Sequence, residues 1–240
     1  MARWALVTGA GKRIGRAIAL DLASHGWDIV VHYHHSGKEA QQLAEEIQEM
    51  GQSACLAEID LADAKSTEQL IPSLTKELGA INALINNASM FEPDETDPDG
   101  KRHFAVNAEA PRILGKSFRD SLPKGDRGVI INMLDATLPS DSTVIPAKAG
   151  IPFPYSSYAR SKKFLSGMTL NMAKSFAPKI RVNGVAPLYV LPSPRQTKAA
   201  FLKMAGNKIT PPEKVAEAVR QLIETPSATG EIVTLSPTIQ

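Results

Sequence analysis

The sequence predicts a doubly wound α/β fold: a parallel sheet covered on both faces by helices, three layers in all. Three observations point there. Short apolar segments alternate with amphipathic stretches along the whole chain. A glycine cluster sits where the first strand passes into the first helix. No linker, repeat or low-complexity tract divides the 240 residues, which suit one domain over 1–240. Hydrophobic residues at 43% with 22% charged fit a chain that buries a core and argue against disorder.

The elements follow in order. Trp4 to Thr8 is an apolar run closed by Gly9 and reads as a buried strand, and Ile14 to Ser24 has helical periodicity. Trp27 to Tyr33 gives a second strand and Lys38 to Met50 a helix. Ser53 to Ile59 is a third strand, with Asp63 to Leu78 helical behind it. Ile81 to Ile85 is the fourth strand, a helix lies near Lys101 to Arg119, and Gly128 to Met133 is the fifth strand. Tyr158 to Phe176 is helical, Ile180 to Val185 is a strand, Glu213 to Ile223 a helix and Glu231 to Leu235 the last strand. Strands this short and this apolar belong inside a sheet with helices on both faces. Two irregular stretches interrupt the alternation, the acidic loop from Glu92 to Asp99 and the Pro/Ser-rich excursion from Ala136 to Pro154. Long loops in a compact domain usually carry function.

Several classes are excluded. Cys55 is the single cysteine, so neither an internal disulfide nor a cysteine-based metal site forms, and no metal is expected. No apolar run is long enough to span a bilayer, and the N-terminus passes straight into a strand without signal-peptide character. A reducing, cytoplasmic setting is therefore expected. The net charge of +2 argues against a nucleic-acid binder. That balance conceals an asymmetry, because no Asp or Glu occurs between Asp141 and Glu213 while eleven Lys and Arg do.

Thr8-Gly9-Ala10-Gly11-Lys12-Arg13-Ile14-Gly15 joins strand to helix. Small residues there let a backbone approach a pyrophosphate, and the helix N-terminus offers free N–H groups to the anion. An NAD site usually carries an acid at the end of the second strand, yet the chain reads His32-Tyr33-His34-His35-Ser36. Arg13 adds a guanidinium suited to a phosphate. Together these favour NADPH/NADP+ as cofactor. Farther on, Tyr158 and Lys162 are one helical turn apart, so an ammonium faces a phenol and is expected to lower its pKa. Tyr155 lacks such a partner, since Ala159 stands four residues on.

These residues resemble the short-chain dehydrogenases/reductases over essentially the whole chain. The glycine turn is similar to their Thr-Gly-x3-Gly-x-Gly, with Arg13 at the middle glycine as in pteridine reductases. The resemblance implies Tyr158 as proton donor, Lys162 as a ligand of the nicotinamide ribose, and Asn107 as the residue completing a water-linked proton relay. Asn132-Met133-Leu134-Asp135-Ala136 is similar to pteridine reductases, which makes Asp135 the partner of Tyr158 where most of the family has Ser. Ser89-Met90-Phe91 resembles their Ser-x-Phe, implying that Phe91 stacks on a pterin and Ser89 contacts pterin or cofactor. Cofactor contacts implied by position are Gly9, Arg13, Ile14 and Gly15; Tyr33, His34, His35 and Ser36; Asp60 and Leu61; Asn87, Ala88 and Ser89; and Pro187 with Leu188, the last standing where the family has Gly.

The expected activity is NADPH-dependent hydride transfer to a C=N bond of a dihydropterin of the dihydrobiopterin, dihydromonapterin or dihydrofolate type. The alternatives are a carbonyl reductase such as a 3-oxoacyl-thioester reductase, and a catalytically silent nucleotide-binding protein. The resemblance also implies a homotetramer or homodimer, paired through the helices that carry Asn107 and Tyr158.

Overall fold

The computed structural model describes residues 3–136, 155–193 and 195–239, so most of the Pro/Ser-rich excursion, residues 137–154, lies outside the described residues. Seven parallel strands form one sheet in the order β3-β2-β1-β4-β5-β6-β8. They are β1 (Trp4–Val7), β2 (Asp28–Tyr33), β3 (Ala54–Glu58), β4 (Ile81–Asn86), β5 (Gly128–Met133), β6 (Ile180–Pro187) and β8 (Ile232–Leu235). The order reverses between β1 and β4, and the crevice beyond their carboxyl ends is where such folds bind ligands.

Strand side chains alternate between two cores. Ala5 and Val7 face one side, against Ile18 of α1 (Arg13–Ser24), Leu43 of α2 (Gly37–Glu49) and Val219 of α8 (Pro212–Glu224). Trp4 and Leu6 face the other, against Leu70 of α3 (Ala64–Leu78), Leu114 of α5 (Ala110–Ser121) and Leu165 of α6 (Ser156–Phe176). The amphipathic helices thus cover both faces, as the periodicity predicts, with ends shifted by a residue or two.

Two departures bear on function. The helix near Lys101 to Arg119 comprises α4 (Lys101–Phe104), a π-helical turn (Ala105–Glu109) and α5. Pro111 has no N–H to return to the Asn107 carbonyl in α-helical register, and the wider turn sits where that bond is missing. The chain after β6 also forms structure that apolar periodicity does not announce: α7 (Lys198–Met204), and a small antiparallel pair of β7 (Lys208–Ile209) with β9 (Thr238–Ile239).

Candidate active site

The carboxyl ends of the strands open onto one cleft of about 790 Å³. Its floor at β1 is the glycine turn. Gly9 has φ +62°, and a Cβ on Gly15 would lie 2.3 Å from the Gly9 carbonyl oxygen, so helix and turn pack closer than any side chain permits. Asn87 braces this turn, donating from Nδ2 to the carbonyls of Thr8 (2.8 Å) and Gly9 (3.2 Å). The Thr8 hydroxyl oxygen accepts from the N–H groups of Asn87 and Ala88. Helix α1 begins without a side-chain cap, leaving first-turn N–H groups for an anion. A close-packed glycine cradle at an uncapped helix start fits a dinucleotide diphosphate.

Arg13 holds φ +58°, the left-handed region that a glycine would occupy without strain. Its guanidinium donates to the Leu191 carbonyl at 3.4 Å, tying the turn to the chain after β6. His32 is buried, its Nδ1 accepts the Gly9 N–H at 3.1 Å, and burial pushes its pKa down to about 4. It is therefore a neutral brace under the turn.

Ile14, His34, His35, Asp60 and Leu61 line the cleft beside it. The His34 and His35 rings are 3.5 Å apart between centroids, and Asp60 pairs with Arg102 at 3.1 Å. Tyr33, Ser36 and Leu188, also expected at the cofactor, are not part of the lining. The Tyr33 hydroxyl donates to Glu58 at 3.1 Å and its ring covers Gly37. The Ser36 hydroxyl packs behind the turn against Gly11, and the Leu188 N–H bonds the Leu235 carbonyl. Period-two alternation explains Tyr33, since His32 and His34 take the inward face.

At the other end, α6 and β5 bring the chemistry together. The Tyr158 hydroxyl donates to Asp135 Oδ2 at 2.7 Å, and Tyr158 is buried. Lys162, also buried, donates from Nζ to the Met133 carbonyl at 2.8 Å. Burial holds the Lys162 pKa down to about 8, with Asp135 pulling it back up. The expected lowering of the Tyr158 pKa is overturned: burial first, then the charge and hydrogen bond of Asp135, push it well above the ordinary phenol value. The phenol keeps its proton across the neutral range.

Asn107 is fully buried and its side chain is fully engaged. Oδ1 accepts from the Met90 N–H (2.7 Å) and the Ser89 hydroxyl (3.2 Å), while Nδ2 donates to the Met90 carbonyl (2.9 Å) and Ser161 Oγ (3.0 Å). Its side chain thus clamps the chain after β4 onto α6. Ser89, Pro187 and Phe91 line the cleft.

Sequence reasoning missed several lining or supporting residues. Tyr155 stacks on Phe91, ring centroids 4.5 Å apart and 4° from parallel, while Phe91 meets Tyr158 edge-on at 4.7 Å. Asp94 of the acidic loop accepts from the Ser156 N–H at 3.0 Å and the Ser157 N–H at 2.9 Å, capping α6 from a distant segment. Lys12, Arg102, Tyr189 and Arg195 also line the cleft. These are contacts between remote segments, and no local spacing encodes them.

The family model described as short chain dehydrogenase matches residues 3–201. The chain belongs to the short-chain dehydrogenase family. Two solved structures of alternative dihydrofolate reductase 1 (FolM), from Brucella canis and Brucella suis and both complexed with NADP, superpose with TM-scores of 0.85. Each is 32% identical; the first covers 98% of this chain and 92% of its own, the second 98% and 93%. Among curated relatives, hydroxynaphthalene reductase arp2 of Aspergillus fumigatus is 32% identical over 76% of this chain. The chain spans 64% of that relative's length. The short-chain dehydrogenase/reductase FrzI of a Cladobotryum species is 30% identical over 93% of this chain and 81% of its own. Family and neighbours class the chain as an NADP-dependent oxidoreductase, with NADPH/NADP+ as the cofactor its fold is built to hold.

Proposed function

We propose that the chain works as a single NADP(H)-binding domain, in the cytoplasm, reducing a C=N bond of a dihydropterin of the dihydrobiopterin, dihydromonapterin or dihydrofolate type. The observation that carries this reading is the Asp135–Tyr158 hydrogen bond at 2.7 Å, with Phe91 edge-on to the same phenol. A C=N bond gains a hydride at carbon and a proton at nitrogen. NADPH, when bound, supplies the hydride. Tyr158, which stays protonated because of burial and Asp135, gives its proton to the ring nitrogen. Asp135, on the cleft wall, accepts from the phenol and passes solvent protons back to it. A carboxylate also binds a ring amino group, which a hydroxyl does less well.

Gly9, Gly15 and the start of α1 would hold the diphosphate, Arg13 and His35 the 2′-phosphate, Asp60 and Leu61 the adenine end, and Lys162 the nicotinamide ribose. Asn107 positions rather than reacts. Phe104, Phe164 and Leu170 are large apolar side chains exposed on α4 and α6, with the two phenylalanine rings 4.9 Å apart. They support pairing of subunits into a homodimer or homotetramer through these helices.

A second reading, reduction of an aromatic ketone, draws on the hydroxynaphthalene reductases among the relatives and on the flat Phe91–Tyr155 stack. NADPH oxidation by the purified protein separates the readings. Dihydrobiopterin, dihydromonapterin and dihydrofolate are offered beside an acetoacetyl thioester and a polyhydroxynaphthalene. Turnover of pterins is expected, and turnover of a carbonyl substrate without any pterin would reject the proposal. Tyr158→Phe is expected to lower kcat by about a hundredfold or more while NADPH affinity stays within about twofold.

A further inference from the structure

At the substrate end of the cleft a single ion pair spans two segments: Glu92, the residue after Phe91, and Arg195, in the chain between β6 and α7. Their contact is 2.8 Å, and the side chains remain 38% and 58% exposed. The other Lys and Arg side chains of the described lining have partners of their own, and Arg13 and Lys162 stand at the proposed cofactor end. Lys12 pairs with Glu39, Arg13 bonds the Leu191 carbonyl, Arg102 pairs with Asp60, and Lys162 bonds the Met133 carbonyl. Arg195 pairs with the residue that follows Phe91, which places it at the Phe91 end of the cleft lining.

Resting on the pterin reading above, we propose that Arg195 is a receptor for a carboxylate on the substrate's tail, so that the preferred substrate class is an acid-tailed pterin of the dihydrofolate kind. The physical case has three parts. A guanidinium has five N–H donors, and the contact to Glu92 uses one nitrogen, leaving donors for a second carboxylate. An ion pair this exposed is weak, so a ligand carboxylate in the cleft competes with it at little cost. Glu92 follows Phe91 directly, so the pair belongs to the same stretch of cleft wall as the ring against which the pterin is proposed to lie. Glu92 then has two roles: it aims the guanidinium at the cleft and sets, by its own charge, how strongly a second anion is welcomed.

The test is the ratio of kcat/KM for dihydrofolate to that for dihydrobiopterin, which lacks a carboxylate. Arg195→Gln is expected to lower the ratio about tenfold, and Glu92→Gln to raise it several-fold by removing the competing charge. A latch that only closes the cleft would move both substrates together. An unchanged ratio in both variants, with both pterins still turned over, overturns the receptor and leaves the pterin reading standing. Failure of the wild-type protein with either pterin overturns the reading and the receptor with it.

Discussion

Arg13 and His32 show how single residues at the glycine turn carry cost for function. Arg13 occupies left-handed backbone at φ +58°, a conformation that costs a non-glycine residue about 1–2 kcal/mol. What the arginine gives in return is a guanidinium at the wall of the cofactor cleft, bridging to Leu191. His32 braces the same turn as a buried, neutral acceptor, with a pKa lowered from 6.5 to about 4. The unfolded chain binds a proton there near pH 6.5, and the folded one only near pH 4. The folded state therefore loses stability as pH falls through that window. Urea unfolding at pH 5 against pH 7 is expected to show a loss of about 2 kcal/mol from this site. In His32→Asn, which keeps an acceptor but does not titrate, the slope across the window should flatten. An unchanged slope would mean that other groups cause it.

Among the elements, α6 is the one on which the proposed activity turns, since it carries Tyr158, Ser161 and Lys162. Three remote segments hold it: Asp94 caps its first amides, Asn107 bonds Ser161, and Asn132 of β5 donates to Thr169 at 2.9 Å. The N-cap residue itself, Tyr155, makes no side-chain cap bond, so Asp94 does that work. Asp94→Ala is expected to cost about 1–2 kcal/mol of stability by chemical denaturation. It should also lower kcat more than NADPH affinity, because the start of the helix sets where Tyr155 and Tyr158 stand while the diphosphate cradle lies on α1. Equal losses in both would assign Asp94 a purely structural part.

Across the whole molecule, the charge asymmetry resolves into particular pairs. The carboxylates of the acidic loop are largely committed: Glu92 to Arg195, Asp94 to α6, Asp97 to the buried His103 at 2.7 Å, and Asp99 to Lys101. Most of that loop is therefore scaffold, and only Glu92 reaches the cleft lining. The exposed apolar side chains on α4 and α6 act at the same scale. Phe164→Glu is expected to shift the protein to smaller assemblies in size-exclusion chromatography with light scattering. A wild-type protein already monomeric at micromolar concentration would reject the proposed pairing.

The sequence by itself determined the fold and the chemical vocabulary of the site. Periodicity placed the strands and helices of the main sheet, because alternation and helical spacing are local properties. The glycine turn and the Tyr158–Lys162 pair were equally legible, each being a short motif on one element. The tertiary structure decided what those groups do to one another. It put Asp135 and burial, rather than Lys162, in control of the Tyr158 proton. It engaged the Asn107 side chain as a clamp on α6 and set Tyr33, Ser36 and Leu188 outside the lining. It also brought Asp94, Tyr155 and Arg195 to the site from loops whose spacing carries no signal. Protonation, stacking and capping depend on distances between remote segments and on the loss of water around them, and only the packed chain sets both.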